Sequence, residues 1–416
     1  MNEVVKRRIE QIKRGEVPAG YKKTTVGIVP EEWEIHSLSR HLTQSCIPGT
    51  NGSVARKLTV KLWNKGVYAK REIHEGSEST TYYKRKSGQL IYSKLDFLNC
   101  AFGIIPEELD GFESTQDLPC FDIHGVNKYF LLSYITRRSF YTHFGMIADG
   151  GRKARRVGPE DMLSFPLLYP PLAEQEKIAE ILATQGKVIA LKEKLLEEKK
   201  KQKKYLMQQL LTGEKRLPGF SGEWVRTKMS DVLELRNEKN TSKDLRICSV
   251  AVNDGVVDQI AHLGKSMAAS NTSNYAVVHY GDIVYTKSPT GNFPYGIVKQ
   301  SQLAENVAVS PLYGVYKPRT YELGFILNEY FSFANNANNY LLPIINKGAK
   351  NTINIADITF LTPSLLLPKD DNEICKLAQV FKKANEEISI IQKSIGQEKQ
   401  KKIALMQLLL TGIVRV

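Results

Sequence analysis

The string Leu206-Met-Gln-Gln-Leu-Leu-Thr-Gly213 returns as Leu405-Met-Gln-Leu-Leu-Leu-Thr-Gly412, 199 residues further on, in a chain of 416 residues. Self-similarity at that spacing imposes a duplicated architecture before any element is assigned. A second pair, Gly88-Gln-Leu-Ile-Tyr-Ser-Lys94 and Gly281-Asp-Ile-Val-Tyr-Thr-Lys287, recurs at an offset of 193, so the duplication extends beyond one helix. A third, partial copy sits at the start, where Ile12-Lys-Arg-Gly15-Glu16 matches Leu210-Leu-Thr-Gly213-Glu214. The order is helix end, variable block, long helix, variable block, long helix. That order is nearly cyclic and predicts that the two termini lie close together.

The long helices are legible from their apolar spacing. In the second, Leu377, Phe381, Ala384, Ile388, Ile391 and Ile395 follow alternating steps of four and three, pass through Glu398 and Lys402, and resume at Leu405 and Leu409. The repeat carries the same seam into the first helix as Ile178, Leu182, Gln185, Ile189, Lys192, Leu196, Lys199, Lys203, Leu206 and Leu210, with more polar breaks. A period of 3.5 residues is the pattern of a helix facing a helix, so the two seams are expected to pair as an antiparallel coiled coil. The alternative is that each helix packs on its own domain. Each follows a proline (Pro170-Pro171 or Pro368) and stops near Gly213 or Gly412, which suits the left-handed residue past a helix end. Each covers about 40 residues, or roughly 60 Å. The run Glu197 to Lys204, rich in lysine, reads as a solvated helix face.

The blocks between, about 21–165 and 217–362, mix short β-type runs with Gly-, Asn- and Ser-rich loops and read as α+β domains. Each opens on a comparable piece, Val29-Pro-Glu-Glu-Trp33 and Phe220-Ser-Gly-Glu-Trp224, whose tryptophans read as core anchors rather than base-stacking platforms. The expected fold class is therefore α+β, with two tandem-related α+β domains joined by two long helices. The expected segments are an N-terminal helix at 1–20, a first domain at 21–166, a central helix at 167–213, a second domain at 214–363 and a C-terminal helix at 364–416.

The net charge of +14 points to a polyanionic partner. It is uneven: residues 1–171 carry +6 (25 basic, 19 acidic), residues 172–216 carry +4 (11 and 7), residues 217–365 only +1 (13 and 12), and residues 366–416 carry +3 (9 and 6). Five scattered cysteines without a Cys-x-x-Cys pair read as reduced thiols, and no metal site is expected. Apolar stretches are broken before the roughly 18–20 residues that a bilayer span needs, and the N-terminus is charged, so a cytoplasmic protein is expected.

No catalytic constellation is apparent. Gly264-Lys-Ser266 lacks the glycine five residues earlier that a phosphate-cradling loop would use, since Gln259 stands there. Leu168-Tyr-Pro-Pro-Leu172 lacks both the amide and the aromatic residue of the amino-methyltransferase turn, and reads as the start signal of a helix. The seven histidines are scattered, with no nucleophile motif beside them. Binding chemistry does accumulate. The first block offers Tyr82-Tyr-Lys-Arg-Lys86, Arg137-Arg138 and Gly150-Gly-Arg-Lys-Ala-Arg-Arg156; the second offers Asn271, Asn274, Asn292, Asn335-Asn336, Asn338-Asn339 and Gly348-Ala-Lys-Asn351. Arginine and lysine bind phosphate and guanine, while asparagine pairs with adenine, so the contrast fits two domains reading different sequences. Turn-forming asparagines and solvated basic loops are the plainer alternative.

With Pro170-Pro-Leu-Ala-Glu-Gln-Glu-Lys-Ile178 opening the first long helix and Leu-Met-Gln-Gln-Leu-Leu-Thr-Gly closing it, the whole chain resembles the specificity subunit of Type I restriction-modification systems. The second helix start, Pro368-Lys-Asp-Asp-Asn-Glu-Ile374, departs from that string. The resemblance implies that each variable block reads one half of a bipartite site in double-stranded DNA, and that the helices act as a spacer recruiting methyltransferase (modification) subunits. Motor-endonuclease (restriction) subunits join as further partners. It implies a non-catalytic chain without a cofactor of its own, the partners bringing S-adenosylmethionine, ATP and magnesium. Lys94, Arg152, Lys153, Arg155, Arg156, Lys287, Asn292, Lys347, Lys350 and Asn351 are then the expected DNA-facing residues. The seam of Ile178, Leu182, Ile189, Leu196, Leu206, Leu210, Leu377, Phe381, Ile388, Ile391, Ile395, Leu405 and Leu409 is the expected spacer and partner element. The recognition part of a fused methyltransferase-endonuclease and a stand-alone DNA-binding regulator are the other readings.

Overall fold

The computed structural model describes residues 3–71, 77–146, 156–242, 244–265, 268, 271–347 and 353–416. They form two compact units, one of residues 1–193 with 393–416 and one of residues 194–392. The fold is α+β in both. Among the described residues no helix is long and apolar enough to cross a membrane, and no group of three His, Cys, Asp or Glu side chains could hold a metal ion.

In the first unit the repeated segment forms the strand Leu90–Tyr92, buried along its whole length between Phe102–Ile104 and Cys120–Ile123 in a four-stranded antiparallel sheet. Leu42–Ser45 completes that sheet. In the second unit the copy of this segment forms Ile283–Tyr285, again fully buried, between Gly314–Pro318 and Val298–Gln300. A strand buried on both faces reads as a continuous apolar run rather than an alternation, and Leu-Ile-Tyr and Ile-Val-Tyr are such runs. Two helices follow in each unit, Lys128–Ile135 and Arg138–Gly145 in the first, Tyr321–Phe331 and Ala334–Leu341 in the second. The second unit adds another sheet, in which Ile247–Ala251 runs parallel to Val307–Val309.

The strand at each opening tryptophan pairs antiparallel with the strand that leads into a long helix. Glu34–Ser37 pairs with Pro166–Tyr169, and Trp224–Lys228 pairs with Ser364–Pro368. The prolines then end the strands, because proline offers no N–H to a ladder and fits the first turn of a helix. The helices are Leu172–Leu210 and Asp371–Leu409, each of 39 residues. The second is opened by Asp370, whose carboxylate accepts from the Asn372 amide at 2.9 Å. Past their ends, Gly213 and Gly412 have φ of +76° and +72°. A Cβ at Gly412 would overlap Pro30, and one at Gly213 would press on the Trp224 ring at 3.2 Å, so both positions need glycine for space as well as for backbone.

The two helices pair antiparallel. Within the first unit, Ile178, Ala179 and Leu182 share a core with Leu405, Met406, Leu409 and Leu410. Further along, the Gln185 amide donates to Glu398 at 2.8 Å and Lys192 reaches Ser394 and Glu398 at 2.6 and 2.8 Å. Within the second unit, Lys199 pairs with Glu387 at 2.8 Å, and Met207, Leu210 and Leu211 share a core with Ile374, Leu377, Ala378 and Phe381. The polar breaks of the seam are thus answered across it, and register is set by those pairs as well as by the apolar steps. The remaining seam residues Ile189, Leu196, Leu206, Ile388 and Ile391 are half-buried and Ile395 is buried, whereas Leu191, Leu195, Ile390 and Ile403 face solvent. The near-cyclic order also has its counterpart: in the first unit, Arg8 of the N-terminal helix donates to the Ile413 carbonyl at 2.9 Å and the Tyr21 hydroxyl donates to that of Gly412 at 2.8 Å.

The Lys192 ammonium, followed by the Gln185 amide, holds the Glu398 carboxyl below the usual carboxylate range. A lowered folded-state pKa contributes stability above the unfolded value and loses it as pH falls through the folded one. Glu398→Gln is therefore expected to flatten the acid side of a Tm-against-pH profile while leaving the helix content unchanged. A profile as steep as that of the unaltered chain would show that this pair does not contribute.

Candidate nucleic-acid interface

Each unit is clasped by a buried carboxylate. In the first, Glu174, in the opening turn of the central helix, accepts from the Trp33 indole N–H at 3.0 Å and from Arg415 Nε at 2.6 Å. In the second, Glu373 accepts from the Trp224 indole at 3.3 Å and from both arms of the Arg216 guanidinium at 2.7 and 2.6 Å. Glu174 and Glu373 are 5% and 1% exposed, and their charges are tolerated because each is hydrogen-bonded to an indole and to a guanidinium. The offset from Glu174 to Glu373, and from Arg216 to Arg415, is 199, that of the helix repeat. Trp33 is wholly buried and Trp224 half-buried in its unit's core, which makes both of them anchors of the frame. Neither glutamate nor arginine is conspicuous in the sequence; their shared offset was the available signal.

On this frame the repeated segments deliver Lys94 and Lys287. Gly88 and Gly281 begin them in the left-handed region, at φ +82° and +86°. The tyrosines Tyr92 and Tyr285 fix them to the core by donating to the carbonyls of Val157 and Tyr295 at 3.0 and 2.7 Å. Burial pushes both phenols well above their ordinary pKa, so they stay protonated donors. Lys94 is half-buried where the strand ends, its N–H on the Asp117 carbonyl and its carbonyl taking the Val157 N–H. Arg156 is exposed beside it, 4.0 Å from the Asp117 carboxylate, so the structure brings Lys94 and Arg156 together. Lys287 has a left-handed backbone at φ +53° and pairs with Asp357 at 2.6 Å. Asn292 is exposed in the tight loop closed by Thr290 and Phe293. Lys347 lies in the short strand Asn346–Lys347, which pairs with Ile353–Asn354. Arg152, Lys153, Arg155, Lys350 and Asn351 lie outside the described residues.

Several residues that look like binding chemistry in the sequence are internal. Arg85 is buried, donating to Ser114, the Ser45 carbonyl and the Leu118 carbonyl. Arg137 packs over the Tyr134 ring at 4.1 Å and donates to the carbonyls of Tyr134 and Leu410. Burial pulls its pKa down. Asn271 makes a turn, accepting from the Ser273 amide, and Asn335, Asn336, Asn338 and Asn339 lie in the helix Ala334–Leu341 rather than in a loop. Two further arginines of the second unit are engaged with carboxylates: Arg236 holds Asp282 through two bonds, and Arg246 pairs with Glu305.

The fold is similar to that of solved specificity subunits of Type I restriction-modification systems. The chain is similar in structure to the HsdS subunit of Thermoanaerobacter tengcongensis, with a TM-score of 0.50 at 14% identity over 93% of this chain and 98% of that one. A chain from a structure on complex assembly and conformational transition of the type I R-M system gives a TM-score of 0.55 at 14% identity, over 93% and 99%. The Type-I restriction-modification S subunit from M. genitalium gives 0.53 at 9% identity, over 91% and 96%. In sequence, no family model matches the chain, and no curated protein does.

The clasps make a prediction independent of function. Glu174→Ala leaves a buried indole N–H unpaired and Arg415 without its main acceptor, a cost of about 2 kcal/mol. Glu373→Ala does the same in the second unit. Calorimetry should show each substitution lowering the melting transition, with Glu174→Gln milder than Glu174→Ala because the amide oxygen still accepts from the indole. Unchanged melting would show that the clasp is not holding the frame.

Proposed function

We propose that this chain is the DNA-specificity subunit of a Type I restriction-modification complex. The observation that carries the reading is one frame used twice with different decoration. The clasp and the Gly–strand–Lys segment recur in both units, while the residues hung on them do not, as expected of two readers of unlike half-sites. The fold shared with known S subunits over most of the chain supports it. On this reading the unit containing Lys94 and Arg156 and the unit containing Lys287, Asn292 and Lys347 each read one half of a bipartite site. Arg152, Lys153, Arg155, Lys350 and Asn351 are proposed to contact DNA as well. The paired helices, with their exposed Leu191, Leu195, Ile390 and Ile403, space the readers and receive methyltransferase subunits, and motor-endonuclease subunits complete the assembly. The chain contributes recognition and no chemistry of its own.

The test is exchange of one reader. Replacing residues 21–166 by the equivalent block of another S subunit is expected to change one half of the methylated site and leave the other half as it was. A change in both halves, or in neither, would contradict the reading. Lys94→Ala, if Lys94 meets a phosphate, weakens binding to all sequences alike and reduces the slope of log K against log salt by about one. A sequence-selective loss with an unchanged slope would assign Lys94 to a base instead.

A further inference from the structure

The third tryptophan, Trp63, is used by neither clasp nor core. It stands at the tip of the hairpin Leu58–Val60 and Val67–Ala69, 57% exposed, in the first unit. The hairpin is amphipathic. Leu58, Val60 and Val67 sink into a small core with Ile91, Ala101 and Cys120, while Tyr68, cross-strand partner of Thr59, is 51% exposed on the other face. Trp63 and Asn64 both have left-handed backbones, at φ +60° and +52°. That conformation is uncommon for a bulky residue and common for Gly and Asn at a hairpin tip. The turn is held in it by the chain that follows Lys94. The Trp63 N–H donates to the Asn99 carbonyl at 2.8 Å, the Asn64 N–H to that of Cys100 at 2.8 Å, and Lys61 N–H to the Gly66 carbonyl at 2.9 Å. A large indole is thus fixed outward at a strained position by backbone bonds to the chain that follows Lys94, a proposed DNA contact.

The segment that carries it is basic. Residues 35–71 contain Arg40, Arg56, Lys57, Lys61, Lys65, Lys70 and Arg71 and not one acidic side chain. Of these Lys57 is buried; Arg56, stacked over Phe112 at 4.1 Å, and Lys61, Lys65, Lys70 and Arg71 are exposed. The nearest carboxylate on the supporting loop, Asp96, is turned to Ser93 and Asn99. Cations with an outward aromatic ring among them complement a polyanion whose bases have π faces, which is nucleic acid. A protein-docking patch of this size would more commonly be depleted in lysine.

We infer that the hairpin bearing Trp63 is a DNA-contacting element of the first unit, in which the indole inserts against a partly unstacked base step while Lys61, Lys65, Lys70 and Arg71 take flanking phosphates. It rests on the DNA-reading function proposed above, and goes beyond it by naming an aromatic contact. Stacking of this kind is worth about tenfold or more in affinity when an aromatic ring is truncated to alanine.

The experiment uses the full chain and duplexes selected by that chain from a random DNA library. Trp63→Ala and Trp63→Leu are expected to weaken binding to the selected duplex by about tenfold, and Trp63→Phe to retain most of it. Because Trp33 is buried and Trp224 half-buried, Trp63 supplies the exposed tryptophan emission, and DNA should quench it in the unaltered chain but not in Trp63→Phe. Trp63→Gly, which relieves the left-handed backbone, is expected to keep or raise the Tm while losing the same affinity, separating contact from folding. If the unaltered chain selects no duplex, the DNA reading itself fails. If it does, and Trp63→Ala binds as well with the same quenching, the hairpin is not a DNA contact. Undiminished DNA binding with loss of co-purifying methyltransferase would likewise overturn the inference, making the hairpin a protein contact.

Discussion

Two buried carboxylates hold this molecule's plan together. Glu174 and Glu373 sit in the first turn of the two long helices, where a negative charge already suits the helix dipole. Each binds the tryptophan that opens its unit and the arginine three residues past a helix-terminating glycine. One side chain therefore ties together a unit's opening, the start of one long helix and the end of a long helix. The first unit takes its arginine from residue 415 and the second from residue 216, so the first clasp closes only once the last part of the sequence is in place. The repeat noticed in the sequence is in this sense structural: it duplicates the parts of a joint.

Between the joints the helices specify their alignment with polar pairs. A purely apolar seam could slip by a heptad at modest cost, but Gln185 and Lys192 against Glu398, and Lys199 against Glu387, lose their partners if it does. The same helices leave Leu191, Leu195, Ile390 and Ile403 exposed to solvent.

The repeat, the helices and their antiparallel seam were readable because a 3.5-residue period over 39 residues is a strong signal, and so were the tryptophan anchors. The site was read less well, for identifiable reasons. Glu174 looks like an ordinary solvated residue of a first helical turn, and burial is not written in its neighbours. Arg85 and Arg137 look like loop cations, but long side chains can turn inward to satisfy backbone carbonyls. The asparagine runs read as base-pairing groups, with turns as the plainer alternative, yet Ala337, Tyr340 and Leu341 bury one face of that segment and make it a helix against its propensity. The Trp63 hairpin was passed over because its strands are three residues long and no two-residue Asn-Gly or Gly-Gly turn joins them.

The central claim is that this chain tells a methyltransferase where to act. It is tested most directly by mapping methylated bases across the genome of the producing cell with and without the gene. The account predicts that one bipartite motif, two short specified segments around an unspecified gap, is methylated in the first case and unmethylated in the second. An unchanged methylation pattern, or the loss of a single uninterrupted motif, would contradict it.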